Sequence, residues 1–404
     1  MGETPKSDGR SATSCLLIVA FIAAIWMPMA DMLFGLAPRP ALAENRQMAL
    51  FPKFGRRAAD VWLFAHKLKL YLRDNFGFRP ALIQGYQLLK GRLLGVSSSP
   101  NVLFGKEGWL IYADENAIES YRCASPYTAD QLDQMQRILE GERDWLARRG
   151  IPYLVVIVPN THTLYPEYLP DWVTRFRSES RLDQLRARMD AHSTLRILDL
   201  RRALLDAKRH MRVSFRTDTH WNEYGAFIGY QEIMKRLAVW FPALQPEKLD
   251  DFIVATRIRP GGDMAQMIGA QDAHPEESIE LTPLAPRQAT VRQTQREGRV
   301  GNQRIPTIVV SELHRPDLPR LVMFRDSAAN YLLPYLAEHF SRITCVSNLT
   351  EKMRFDRRIV EEEKPDVVIR ELTERFLMYE PVQFTDRHEA SEPDRQDQEI
   401  NGAE

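Results

Sequence analysis

The chain has 404 residues, 44% hydrophobic and 27% charged, with 54 Lys and Arg against 54 Asp and Glu. These proportions exclude disorder throughout, a collagen-like repeat and a multi-pass membrane protein. A net charge of zero argues against a protein that wraps nucleic acid by general electrostatics. Three cysteines, Cys15, Cys123 and Cys345, are too few and too scattered for a disulfide scaffold or a zinc ribbon; Cys123 and Cys345 are either a pair or two buried thiols.

From Leu16 to Leu36 the chain is apolar, interrupted by Pro28 and Asp31, and as a helix this run reaches roughly 30 Å. The pattern predicts one membrane helix over 16–36 behind a cytoplasmic tail of residues 1–15. A cleavable signal peptide is the competing reading, because Ala41 and Ala43 form a small-x-small site. That site lies well beyond the strongest apolar stretch, which ends near Trp26, and the long spacing favours a retained anchor. Lys6 and Arg10 precede the span, whereas Arg39, Arg46, Lys53, Arg56 and Arg57 follow it; large domains translocate largely regardless of such flanks.

Residues 44 to about 95 read as helical, and Gly105–Tyr112 as a turn followed by a short aromatic strand. Leu132, Met135, Ile138, Leu139 and Trp145 recur at helical spacing within 128–149, with Thr128 and Asp130 near a cap and Gly150 as the stop. The apolar run YLVVIV at 153–158 suits a strand buried on both faces. The same signal recurs at 195–200, 320–324, 342–346 and 366–369, with helical stretches at 181–190, 222–239 and 328–339 as crossovers. This alternation predicts a three-layer α/β sandwich with a parallel central sheet. Residues 255–315, rich in Gly, Pro, Gln and Thr, read as a partly β insertion that includes a short strand at 307–310. A domain over 44–380 is therefore followed by a polar, disordered tail over 381–404.

Two segments carry chemistry. Asp218 and His220 stand two apart in TDTHWN, just before a helix, so in extended chain they project from one face; the carboxylate can hold His Nδ1–H and leave Nε2 to accept a hydroxyl proton. Metal ligation would want further His or carboxylate partners, and none is evident at short range. Ser327 follows the strand at 320–324 and precedes a helix, the position where parallel sheets build sites. Asp-Ser before a helix is also a capping pattern, but the co-occurrence of Ser, His and Asp supplies all parts of a nucleophilic relay.

These segments, with Glu44–Arg46 followed by Phe51–Pro52, Gly105–Tyr112, Val158–Pro170 and Gly261–Ala265, occur in an order that resembles the alginate O-acetyltransferase family of SGNH-hydrolase-like proteins (AlgJ/AlgX type), from about residue 44 to Leu377. The resemblance implies an SGNH-like fold and a periplasmic, inner-membrane-anchored enzyme that acetylates hydroxyls of an exported, alginate-like polysaccharide. It implies Ser327 as nucleophile, His220 as general base and acid, and Asp218 as its orienter. It further implies no cofactor, with acetyl supplied by a membrane-bound O-acyltransferase. Lacking a long C-terminal carbohydrate module, the chain looks more like AlgJ than AlgX. Asn160, His162, Tyr165, Trp221 and Asn222 fall in or beside the motifs as substrate contacts; Thr161 stands where relatives often carry Lys or Arg, and Ala328–Ala329 where an aromatic is common. A neutral protein must hold an anionic polymer by local basic groups, such as Arg216 and Arg325 beside the triad. An acetyl-esterase using the same triad, and a membrane-tethered polysaccharide-binding or assembly protein stacking sugars on Trp109, Tyr112, Tyr165, Tyr168 and Trp221, are the alternatives.

Overall fold

The computed structural model describes residues 9–36, 49, 51–52, 58–78, 82, 85, 99–295, 298–300, 303–347 and 355–381. The chain divides into two compact units, Met1–Ser98 with Gln266–Ala270, and Ser99–Ala265 with Gln271–Glu404. Most of residues 44–57 and 79–98, and the tail from residue 382, lie outside the described residues.

The first unit includes the helices α1 (Gly9–Phe34) and α2 (Ala58–Asn75). Within α1 the segment Ser14–Met32 has a mean hydropathy of 2.1, long and apolar enough to cross a membrane. The polar Asp31 is buried and accepts the Phe78 main-chain N–H at 2.8 Å, so the residue that interrupts the apolar run is engaged by the chain that follows α2.

The second unit carries the site. Its first elements are β1 (Val102–Phe104), β2 (Leu110–Tyr112), α3 (Ala117–Arg122) and α4 (Ala129–Ala147). Thr128 caps α4 through a reciprocal pair of hydrogen bonds with Gln131, which satisfies two otherwise orphaned N–H groups. Then follow β3 (Tyr153–Val158), the short α5 (Thr161–Leu164), α6 (Arg181–His192), β4 (Ile197–Asp199), α7 (Arg201–Ala207) and α8 (Glu223–Leu237). The segment read as an insertion supplies β5 (Phe252–Arg259), α9 (Asp263–Met267), β6 (Glu276–Pro283), β7 (Thr290–Gln295), β8 (Gly298–Val300), β9 (Gln303–Ile305) and β10 (Thr307–Glu312). The chain ends with β11 (Arg320–Phe324), α10 (Leu333–Leu336), β12 (Arg342–Ser347), α11 (Arg357–Glu363) and β13 (Val367–Thr373).

Seven strands form one sheet in the order β4-β3-β13-β11-β12-β10-β7. The five from β4 to β12 run parallel; β10 and β7 extend the sheet antiparallel. The sheet is thus mixed where the sequence predicts parallel strands only, because part of the insertion pairs with the main sheet instead of standing apart from it. On β3 the alternation decides the layers. Leu154, Val156 and Val158 pack with Phe227, Ile233 and Leu237 of α8, while Tyr153, Val155 and Ile157 face Leu139 and Leu146 of α4 and Leu185 and Met189 of α6. Each such side chain, fully buried, stabilises the fold by about 1.5–3 kcal/mol. The helical stretch expected at 328–339 is instead a 3₁₀ turn (Ser327–Tyr331) followed by α10, with Pro334 in the first turn of α10. Cys123 and Cys345 are both buried and both free.

Candidate active site

β13, last in sequence, lies between β3 and β11, so the turns after all three strands meet at one edge, where open α/β sheets place their ligands. The turn after β11 carries Ser327. Asp326 shapes it: its Oδ1 accepts the Ala328 N–H at 2.8 Å and its Oδ2 the Thr373 N–H at 2.6 Å. Beneath it, Glu371 is fully buried and its Oε2 accepts the Asp326 N–H at 3.0 Å. Burial, then the charge of Asp326, push the Glu371 carboxyl well above the usual range.

The second loop lies between α7 and α8 and is closed by a bridge between Ser214 and Trp221. Asn222 caps α8, its Oδ1 accepting the Gly225 N–H at 2.9 Å. Between these anchors Asp218 and His220 face Ser327. His220 Nε2 is 2.8 Å from Ser327 Oγ, and His220 Nδ1 is 2.7 Å from Asp218 Oδ1. Asp218 Oδ2 accepts from Arg259 Nη2 at 3.1 Å and from the Asp263 N–H at 3.3 Å. With both oxygens of Asp218 engaged, Nδ1 is the protonated nitrogen of His220 and Nε2 the acceptor.

Opposing terms set the charges. Burial works against the His220 imidazolium, but the hydrogen bond and charge of Asp218, with Asp263 and Asp326, outweigh it and raise the imidazole pKa. Burial would raise Asp218, yet its bonds to His220 hold it below the usual carboxylate value. Asp263 is pushed up by burial and by Asp218. Its carboxylate sits 3.6 Å from His220 Nδ1 and takes the Thr219 N–H and hydroxyl at 2.7 and 2.5 Å. Asp218, His220 and Asp263 converge within 4.8 Å; Arg259 against Asp218 and Thr219 against Asp263 make this donor set a hydrogen-bond network, since a guanidinium beside the same carboxylate opposes a bound cation.

The insertion supplies the outer supports. Arg259, at the end of β5, lies over the Phe215 ring at 4.3 Å. Glu276, at the start of β6, accepts the Arg216 and Thr217 N–H groups at 2.7 and 3.2 Å and the Thr217 hydroxyl at 2.7 Å. Tyr331 stands 5.6 Å from the His220 ring.

The expected substrate contacts divide. Trp221 is buried and donates from Nε1 to Ala328 O at 3.0 Å, tying the His loop to the Ser turn. Tyr165 packs against Trp109 and accepts the Val213 N–H at 2.9 Å. His162 is buried with Nε2 2.9 Å from Ala117 O, and burial lowers its pKa to about 4, so it is a neutral structural side chain. Arg325 turns inward to Asp326 O and Asn330 Oδ1 at 3.0 and 2.6 Å and is 4% exposed. Arg216 reaches Pro275 O at 3.4 Å. Asn160 Nδ2, Arg216 Nε and Arg325 Nε are buried donors without a partner among the described residues, and of these three residues Asn160 lines a pocket together with Thr219. Arg259, Asp263 and Arg375 have no role in the sequence reading. Asp263 lies in the Gly-Gly-Asp-Met-Ala run, the one signal that pointed toward it.

A mixed, mainly parallel α/β sandwich with Ser, His and Asp joined at its strand ends defines an SGNH-hydrolase-like protein. The family model described as "SGNH hydrolase-like domain, acetyltransferase AlgX" matches residues 102–311, just over half of the chain, and the chain belongs to that family. The match includes Asp218 and His220 and stops short of Ser327. Similar curated proteins are both named "Probable alginate O-acetylase AlgJ". The one from Pseudomonas syringae pv. tomato is 32% identical over 34% of this chain and 34% of its own length; that from Pseudomonas aeruginosa is 27% identical over 46% and 42%. The chain thus spans about a third to two fifths of the relatives it matches. Among solved structures, Bacillus cereus PatB1 superposes with a TM-score of 0.52 at 16% identity, covering 70% of this chain and 99% of that one, a likeness of fold.

Proposed function

We propose that this protein is a serine-dependent O-acetyltransferase acting on hydroxyls of an exported, alginate-like polysaccharide, anchored in the inner membrane by α1 with its catalytic unit in the periplasm. The observation that carries the reading is the hydrogen-bonded line from Ser327 through His220 to Asp218, at the sheet edge of a chain whose family is described as acetyltransferase.

His220 Nε2 takes the Ser327 proton as Oγ attacks the acetyl carbonyl. The tetrahedral intermediate collapses, the donor's leaving group receives that proton from His220, and acetyl-Ser327 remains. A sugar hydroxyl then gives its proton to His220 while attacking the ester, and Ser327 departs reprotonated. Asp218 steadies the imidazolium in both halves. The oxyanion faces the Ser327 N–H; the Ala328 N–H, committed to Asp326, is not spare for it. A membrane-bound O-acyltransferase delivers the acetyl group, and no cofactor enters the cycle.

The test is incubation of the full-length protein in detergent with an activated acetyl ester, with and without oligosaccharide, followed by mass spectrometry. Acetylated sugar is the expected product. Free acetate alone in both arms would make the protein an esterase.

A further inference from the structure

At the same strand-end edge the turns after β3 and β13 and the strand β2 line a small pocket that opens to solvent. Leu110, Ile111 and Met264 form its apolar wall, and Tyr112, Asn160, Thr219 and Arg375 are among its polar groups. Asn160 is 3% exposed, and its Nδ2 amide has no hydrogen-bond partner. Arg375 is 8% exposed; it spends its Nε–H on Glu115 Oε2 at 2.9 Å and makes no further hydrogen bond among the described residues. The Asn160 amide is therefore a buried donor left idle, and beside it the two Nη groups of Arg375, which solvent still reaches, have no protein partner among the described residues.

A buried idle donor such as Asn160 Nδ2 is costly, typically about 1–3 kcal/mol, and its persistence beside an unpaired guanidinium face points to a ligand that completes both. The other polar groups at the pocket do not. The Thr219 hydroxyl is given to Asp263, His162 Nε2 is taken by Ala117 O, and the Asn160 main-chain N–H goes to Glu374 Oε2 at 3.3 Å. What is missing is an acceptor with two oxygens, which a guanidinium fork binds best as a planar anion. Ser327 and His220 do not line the pocket, whereas Thr219, next to His220, does. The group held here sits beside the reacting centre and not on it.

We infer that Asn160 and Arg375 form a carboxylate-binding subsite next to the acetyl-transfer centre. This rests on the proposed acetyl transfer for its purpose, though not for its geometry. A carboxylate has two sources in such a reaction: a uronate of the acceptor polymer, which would fix the sugar so that a neighbouring hydroxyl meets Ser327, and acetate released when water intercepts the acetyl-enzyme.

The test uses the full-length protein in detergent with Ser327→Ala, so that binding is read without turnover. Three probes are titrated by calorimetry: a short oligouronate, the same oligosaccharide with its carboxyls reduced, and sodium acetate. Oligouronate binding that weakens roughly ten- to a hundredfold on carboxyl reduction and in Arg375→Gln, and less in Arg375→Lys, is expected. Asn160→Leu, which keeps the main-chain bond to Glu374, guards against a misfolded Arg375 variant and is expected to lose roughly fivefold or more. Acetate that binds tightly and is lost in the same variants assigns the subsite to the released product. Binding of both carboxylates that is indifferent to Asn160→Leu and to either Arg375 change, with thermal melts unchanged, overturns the inference. Turnover of acetyl ester by the wild-type protein is scored separately, so the subsite and the acetyl-transfer reading fail independently.

Discussion

The indole N–H of Trp221 donates to the main-chain oxygen of Ala328 across 107 residues of sequence, joining the residue after His220 to the residue after Ser327. The ring is wedged against α8, where a Cβ at Gly229 would fall 2.7 Å from Trp221 Cζ3. This side chain therefore ties the loop of the proposed base to the turn of the proposed nucleophile. Trp221→Phe keeps most of the packing and removes the bond. It is expected to lower stability by about 0.5–1.5 kcal/mol and to reduce kcat several-fold with KM little changed. Thermal melts and steady-state acetyl transfer check this, and a loss confined to KM would contradict it.

Ser327→Ala and His220→Ala are each expected to reduce acetyl transfer by about a thousandfold or more, and the double variant by little beyond either alone, because the two act as one unit. Neither side chain is a core residue, so circular dichroism should be unchanged. Additive losses in the double variant would show that Ser327 and His220 do not share a step.

Much of this was legible before the structure. The strand at 153–158 was readable because it is apolar at every position, and its place in a parallel sheet followed from the βα alternation. Asp218, His220 and Ser327 were legible because their spacing and strand-end placement are local properties. Arg259 was not: an arginine ending a strand looks like any solvated cation, and only the pairing of β5 with β6 brings it to Asp218. Arg325 misled for the complementary reason. Its place beside Ser327 suggested a substrate contact, whereas the turn after β11 directs it inward to Asn330. The antiparallel addition of β10 and β7 was hidden likewise, since sheet pairing is a long-range choice that composition does not record.

The raised pKa of His220 fixes the sign of the pH dependence. The base must be neutral, so transfer falls as pH drops through its folded pKa, and the acid limb lies above the ordinary imidazole value. Asp263→Asn removes a carboxylate 3.6 Å from Nδ1 and is expected to move that limb to lower pH by up to about one unit. Arg259→Gln removes the cation that offsets Asp218 and should move it the other way. Ester-hydrolysis profiles over the neutral range measure both, and shifts of the same sign would refute the assignment of charges.

Gly262 lies against Asp218 so closely that a Cβ there would fall 2.4 Å from Asp218 Cβ and 2.5 Å from Oδ2, while Gly261 would bring its Cβ to 2.5 Å from Ala265 Cβ and 2.8 Å from His274 O. Both positions resist a side chain, but only the first would displace the carboxylate that orients His220. Gly262→Ala and Gly261→Ala should each cost about 1–3 kcal/mol of stability through overpacking. Gly262→Ala should in addition lower kcat by about a hundredfold, the effect of moving a catalytic group by roughly an ångström. Denaturant melts and acetyl-transfer rates on the two variants separate the terms: equal kinetic losses would mean that catalysis responds to general strain in this loop, and a loss specific to Gly262→Ala would tie it to the placement of Asp218.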